Sequence, residues 1–191
     1  MAKIAIVYHS GYGHTAKLAE AVAEGARNEG AEVDVLKADD LTNPIEGPWD
    51  TLHAADAIIF GSPTYMGSHS AVFQQFAEAT SKIWMSGGWQ DKLAAGFTNS
   101  ASVSGDKLQT LQSFIILASQ HGMVWVPLGM QSGYNMKEHS YETGINRGGF
   151  FVGVGTQSLA DASTEEAPVK AELDTGKALG ARVARAAARW G

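Results

Sequence analysis

The chain has 191 residues, a formal net charge of −6, 45% hydrophobic and 18% charged residues, and no cysteine. These values suit a single globular domain over residues 1–191 with a core large enough to fold unaided, and they carry no signature of disorder or fibre. They also argue against nucleic acid, whose phosphates call for clustered Lys and Arg, and no basic run is present. Without cysteine there is no disulfide, thiolate nucleophile or cysteine-ligated zinc. His9, His53, His69 and His139 fall at no metal-ligand spacing, so no metal site is expected. No apolar run approaches the ~20 residues of a membrane span. The run MAKIAIVYHS leads directly into a strand pattern, unlike a signal peptide, so a cytoplasmic protein without membrane insertion is expected.

Strand and helix patterns alternate along the chain. KIAIVY predicts a buried first strand, and residues 14–28 a helix with Leu18, Val22 and Ala26 on one face and Gly30 to end it. A second strand is expected over 31–38, then a proline-bearing loop with room for one helical turn over 42–55, and a third strand over 56–63 ending at Pro63. Helical spacing covers 70–84, a fourth strand 92–99, a fourth helix 106–122 closed by Gly122, and a fifth strand 123–129. A glycine-rich stretch without periodicity fills 130–150, with a short strand expected near 151–155 and a last helix over 166–190. In that helix Gly176, Gly180, Ala184 and Ala187 would let the backbone approach the sheet. The alternation predicts a three-layer α/β/α sandwich around a five-stranded parallel sheet, whose ligands sit outside the carboxyl ends of the strands.

Three loops follow strand carboxyl ends. The first, SGYGHT, carries Gly11 and Gly13 for a tight turn at a helix N-terminus, with Ser10, His14 and Thr15 as side-chain donors. It suits a phosphate monoester, although GYGHTA also fits the dinucleotide pattern G-x-G-x-x-A, with Asp39 or Asp40 then facing a ribose. A plain turn with Thr15 as N-cap is the bland alternative. The second loop, SPTYMGSHS, offers Tyr65 and Met66 as flat and polarisable surface, and Gly67 for a turn. The third, TNSASVSGD, offers small hydroxyl residues and backbone N–H groups, or simply a polar loop with Ser104 capping the next helix.

Taken together, YHSGYGHT, GSPTYMGS, KLAAGFTNS and QHGMVWVPLG resemble the flavodoxin-like FMN proteins, and most closely the WrbA-type NAD(P)H:quinone oxidoreductases. The resemblance implies a flavodoxin-like sheet in the order 2-1-3-4-5, bound FMN, and a homo-oligomer, dimer or tetramer. It implies a phosphate cradle at Ser10, Gly11, Tyr12, Gly13, His14 and Thr15. Pro63, Thr64, Tyr65, Met66 and Gly67 would lie beside the flavin ring. Thr98, Asn99, Ser100, Ala101, Ser102, Val103 and Ser104 would line its opposite edge. It further implies that His121 reaches the cofactor as a catalytic group, and that Trp84, with Tyr12, binds substrate. The chain departs from the family pattern in having Tyr65 where Arg is usual, a third loop with glycine only at Gly105, and SLADASTEEAP before the last helix.

The implied function is two-electron transfer from NAD(P)H to a quinone, with the flavin carrying the chemistry. The alternative is a flavodoxin-type carrier that passes single electrons between proteins.

Overall fold

In the computed structural model, which describes residues 1–190, the chain runs in the following order. β1 (Lys3–Tyr8) leads to α1 (His14–Asn28), β2 (Glu32–Lys37), a 3₁₀ turn (Ala38–Leu41) and α2 (Trp49–Ala54). β3 (Ala57–Tyr65), β4 (Ser68–His69), α3 (Ala71–Ala79) and α4 (Ser81–Ser86) follow. The rest is β5 (Leu93–Ser100), α5 (Lys107–Gln120), β6 (Val124–Trp125), β7 (Val154–Gln157) and α6 (Lys170–Trp190).

The sheet order is β2-β1-β3-β5, with the next position shared by β6 and β7. All of these pairings are parallel, and the architecture is flavodoxin-like. Successive residues of each strand face opposite layers. Ile4, Ile6, Ile59 and Phe97 pack with Leu18 and Val22 of α1 and Leu179 and Val183 of α6. Val7, Ile58, Phe60 and Ala94 pack instead with Leu52, Phe73, Phe76 and Phe114. Burial on both faces explains why β1, β3 and β5 read as apolar runs rather than alternating ones.

Four expectations are corrected by the packing. The fifth sheet position is filled by two pieces: β6 pairs with Leu93 and Ala94, and β7 with Phe97 through Ser100. Residues 126–153 leave and re-enter the sheet between them without a strand or helix of their own. They are held by Asn146, whose N–H donates to Thr175 Oγ1 (2.7 Å) and whose Oδ1 accepts from Phe150 N (3.2 Å). The helix expected over 70–84 breaks at Thr80, whose hydroxyl donates to the Ala77 carbonyl (2.6 Å) and competes with the helical ladder. β3 continues past Pro63 to Tyr65, because β4 folds back on it through Met66 (φ 49°) and Gly67 (φ 82°). Finally, the α6 glycines admit α1 rather than the sheet: Gly176 faces Leu18, and Gly180 faces the Val22 backbone carbonyl.

β1 leads one way to β2 and β3 leads the other way to β5, so the strand order reverses between β1 and β3. A cleft outside the carboxyl ends at that point is where an open parallel sheet receives a ligand.

Candidate functional site

A cavity of about 540 Å³ opens there. Ser10, Tyr12, His14 and Thr15 line one wall; Pro63, Thr64 and Tyr65 a second; Asn99, Ser100 and Ala101 a third. The three loops read from the sequence therefore converge. Among the described residues no Lys, Arg, Asp or Glu side chain lines the cavity. An anion held there is held by backbone N–H groups, hydroxyls and the α1 dipole rather than by a counter-charge.

The first loop is shaped by Ser10 and Gly13. Ser10 Oγ accepts from Gly13 N and Ala16 N, both at 3.1 Å, so it performs the capping expected of Thr15, which instead lies buried within α1. Gly13 adopts φ 90°, and a β-carbon there would stand 2.7 Å from the Thr164 methyl. Among the described residues nothing accepts from the N–H groups of Tyr12, His14 and Thr15. Three free amides at a helix N-terminus, with the Thr15 and Ser10 hydroxyls beside them, fit a phosphate monoester. His14 Nδ1 lies 3.0 Å from the Ala167 carbonyl, which requires the proton on Nδ1 and ties the loop to the segment before α6.

Tyr65 takes the place of the family's usual Arg. Its ring meets Tyr12 edge to face at 6.3 Å, and its hydroxyl lies against the Gly11 N–H. Burial, then the neighbouring Tyr12, push the phenol up, while the Gly11 N–H pulls the other way, so Tyr65 is a neutral donor at neutral pH. Behind this wall Thr64 Oγ1 bonds Thr98 and Thr110 Oγ1, each at 2.8 Å, which fixes β3 to β5 and α5. Asn99 is oriented by its neighbours: Oδ1 accepts from Thr156 Oγ1 (2.8 Å) and Ser158 Oγ (3.0 Å). Its amide nitrogen, with no protein acceptor among the described residues, is the group left free to donate to a ligand in the cavity that Asn99 lines. Asn99→Asp removes the donor and adds a carboxylate charge, so it should weaken FMN binding by more than the roughly tenfold, about 1–1.5 kcal/mol, of the lost bond alone. Equilibrium titration of the apoprotein checks this.

A fourth wall escaped the sequence reading: Ser158, Leu159, Ala160, Ala162, Ser163 and Thr164 close the cavity. The signal was available. These residues follow β7, and a parallel strand expected near 151–155 delivers its following loop to the same edge of the sheet.

Other expected residues are placed differently. Thr98 is buried beneath the site. Met66 stands fully exposed at the hairpin tip, with Gly67 beside it. Ser102, Val103 and Ser104 run along the outside of the third loop, and the Ser102 and Val103 carbonyls accept from Lys107. Ser104 offers only its carbonyl to α5, which starts one turn-residue later because Asp106 (φ 54°) takes the cap position. Trp84 and His121 are not brought to the cavity within one chain. α3 and α5 start at the carboxyl edge and run back along strands some 23 Å long, and both residues lie past their far ends. Trp84 is exposed on α4. His121 is 5% exposed, packed at a tilt against Trp89 (ring centroids 4.6 Å apart), and its Nε2–H donates to Thr80 Oγ1 (2.8 Å), whose own proton goes to the Ala77 carbonyl.

His121 is thus a core residue, and burial pushes its pKa down to about 4. Its buried Nδ1 has no partner to receive a proton. Between about pH 6.5, the unfolded value, and pH 4 the unfolded chain binds a proton that the folded chain refuses. Stability should therefore fall across that window by up to about 3 kcal/mol. Urea midpoints at pH 7 and 4.5 check this, and His121→Gln should flatten the loss.

The sequence profile of the NADPH-dependent FMN reductase family matches residues 2–133. Over 185 residues, covering 97% of this chain and 96% of the other, the chain is 45% identical to flavodoxin FldP of Pseudomonas aeruginosa. It is 34% identical over 205 residues to an NAD(P)H dehydrogenase (quinone) of Sinorhizobium fredii, covering 99% and 98% of the two chains. Its fold matches a flavodoxin, WrbA-like protein from Agrobacterium tumefaciens with a TM-score of 0.76 and 42% identity, over all of both chains. The donors found in the cavity are those FMN needs: free amides for its phosphate, an oriented amide and a threonine wall for its ring edge, and aromatic surface beside it. The chain belongs to the NADPH-dependent FMN reductase family, and FMN is its cofactor.

Proposed function

We propose that the protein transfers two electrons from NAD(P)H to a quinone, as a homo-oligomer in the cytoplasm. Bound FMN supplies a ring that accepts hydride and passes electrons on. The observation that carries the reading is the mouth of the cavity: Tyr12 is 80% exposed, meets Tyr65 edge to face, and no charged side chain lines the space behind them. Such a mouth stacks flat, uncharged rings, which describes both nicotinamide and quinone. The relatives named NAD(P)H dehydrogenase (quinone) support the same reading.

The chain's part is to position. The Tyr12, His14 and Thr15 amides hold the phosphate, Asn99 and the third loop hold the ring edge, and Tyr12 with Tyr65 stack the substrate. The Tyr65 hydroxyl, kept neutral, can donate a hydrogen bond to a quinone oxygen as charge develops on it. Trp84 and the adjacent Met85 are exposed side by side on α4 and can meet a flavin only in a second copy of the chain. Sedimentation that finds only monomer removes that role.

A second reading, a one-electron carrier for protein partners, is favoured by the relative named flavodoxin. Initial rates separate the two. With NADPH and benzoquinone varied together, substrates sharing one face in turn give parallel double-reciprocal lines. Absence of nicotinamide-dependent turnover, with electrons passed only to a protein acceptor, supports the carrier.

A further inference from the structure

Lys107 opens α5, yet only 1% of it is exposed. Its ammonium donates to Ser100 Oγ (3.0 Å), the Ser102 carbonyl (2.6 Å) and the Val103 carbonyl (3.0 Å), and stands 5.7 Å from the centre of the Phe150 ring. The placement is unfavourable in two ways. The start of a helix is the positive end of its dipole, and a buried ammonium loses its hydration. Facing it from α6 is the Glu172 carboxylate, which attracts it, and from the 126–153 segment the Arg147 guanidinium, which repels it. Arg147 and Glu172 are themselves paired at 3.2 Å, so neither is a dedicated counter-ion for Lys107.

A neutral donor could tie the loop without either penalty. What the ammonium alone adds is a charge, one hydrogen bond behind Ser100, which lines the FMN cavity. Among the described residues no other Lys or Arg has that relation to the cavity wall through the third loop. FMN that takes up two electrons and one proton leaves its ring one negative charge richer. We propose that Lys107 is an electrostatic positioning residue of the flavin site, which shapes the Ser100–Val103 wall and favours the reduced, more negative FMN. This rests on FMN occupying the cavity described above. It deepens the proposed function, because a flavin whose reduced form is favoured takes hydride from NAD(P)H more completely.

Burial pushes the Lys107 ammonium down to about 8, with Glu172 opposing and Arg147 reinforcing the shift. The charge is therefore present at neutral pH and lost within a range where the protein can be studied. The test is the midpoint potential of the FMN holoprotein against pH, for the wild type and Lys107→Met. At an effective dielectric near 20, one charge set behind the Ser100 wall should favour reduced over oxidised FMN on the order of tenfold. That ratio is about 30 mV for a two-electron couple. The expected result is a wild-type potential higher by about that amount at pH 7, with the difference closing by about pH 9.5.

Equal potentials at both pH values overturn the proposal, and so does an offset that ignores pH, which a structural tie alone would give. Should Lys107→Met fail to retain FMN, the wild type answers alone. Reduction should raise the Lys107 pKa, so the slope of potential against pH steepens between about pH 8 and 9 and then recovers. A straight line through that range overturns the proposal. A wild-type protein that takes up no FMN and shows no flavin spectrum contradicts the site itself and removes the proposal with it.

Discussion

Gly13→Val is expected to weaken FMN binding about a hundredfold while the fold survives. Gly13 holds φ 90°, which a β-branched residue adopts only as an outlier. A β-carbon would also press on the Thr164 methyl at 2.7 Å. Strain of this kind costs on the order of 1–3 kcal/mol. The loop can relieve it only by leaving the left-handed conformation. That breaks the Gly13 N–H bond to Ser10 Oγ and disperses the free amides of Tyr12, His14 and Thr15. At about 1.4 kcal/mol per tenfold, the loss is near two decades of affinity. The buried face of α1, with Leu18 and Val22, is untouched, so the apoprotein should melt only a few degrees lower. Titration with FMN and with riboflavin discriminates further. Riboflavin has no phosphate, so its weaker binding should change little. Equal FMN affinity in variant and wild type would remove the phosphate from this loop.

Gly180→Ala should be among the most damaging additions of a single methyl group in the chain. α1 and α6 cross so closely that a β-carbon at Gly180 runs into the Val22 carbonyl oxygen, and one at Gly25 runs into the Lys177 carbonyl oxygen. These are backbone atoms in the middle of helices and cannot rotate aside as side chains do. The helices must separate, which opens the layer formed by Leu18, Val22, Leu179 and Val183. Overpacking of this kind costs about 3 kcal/mol, or roughly 6–12 °C in Tm for a chain of this size. Thermal unfolding of the apoprotein measures it. A Tm unchanged within a degree or two would mean that the two helices do not pack as described.

Local signals carried the sequence reading a long way. β1, β3 and β5 are legible because burial on both faces leaves continuous apolar runs, and α1 because its apolar residues keep helical spacing up to Gly30. The Ser10–Thr15, Pro63–Tyr65 and Asn99–Ala101 walls follow from one rule, that loops after parallel strands share an edge. What escaped depends on contacts distant in sequence. The split fifth position joins β6 and β7 across nearly thirty residues that have no periodicity. The Ser158–Thr164 wall becomes visible only once β7 is paired with β5. The α6 glycines read as sheet-facing because nothing local says that α1 is their partner. His121 and Trp84 matched a family motif in sequence, but the direction of α5 and α3 carries both away from the cavity of their own chain. The burial of Lys107 rests on Phe150 and on the carbonyls of a loop whose path no propensity foretells.

The most direct test of the account is an anaerobic titration of the FMN-loaded protein with NADPH, followed by its visible spectrum. One equivalent is expected to bleach the flavin completely in a single stage, and an equivalent of benzoquinone to restore the colour. A flavin that NADPH and NADH both leave oxidised, while dithionite reduces it in two separate one-electron stages, would contradict a reductase and identify a carrier.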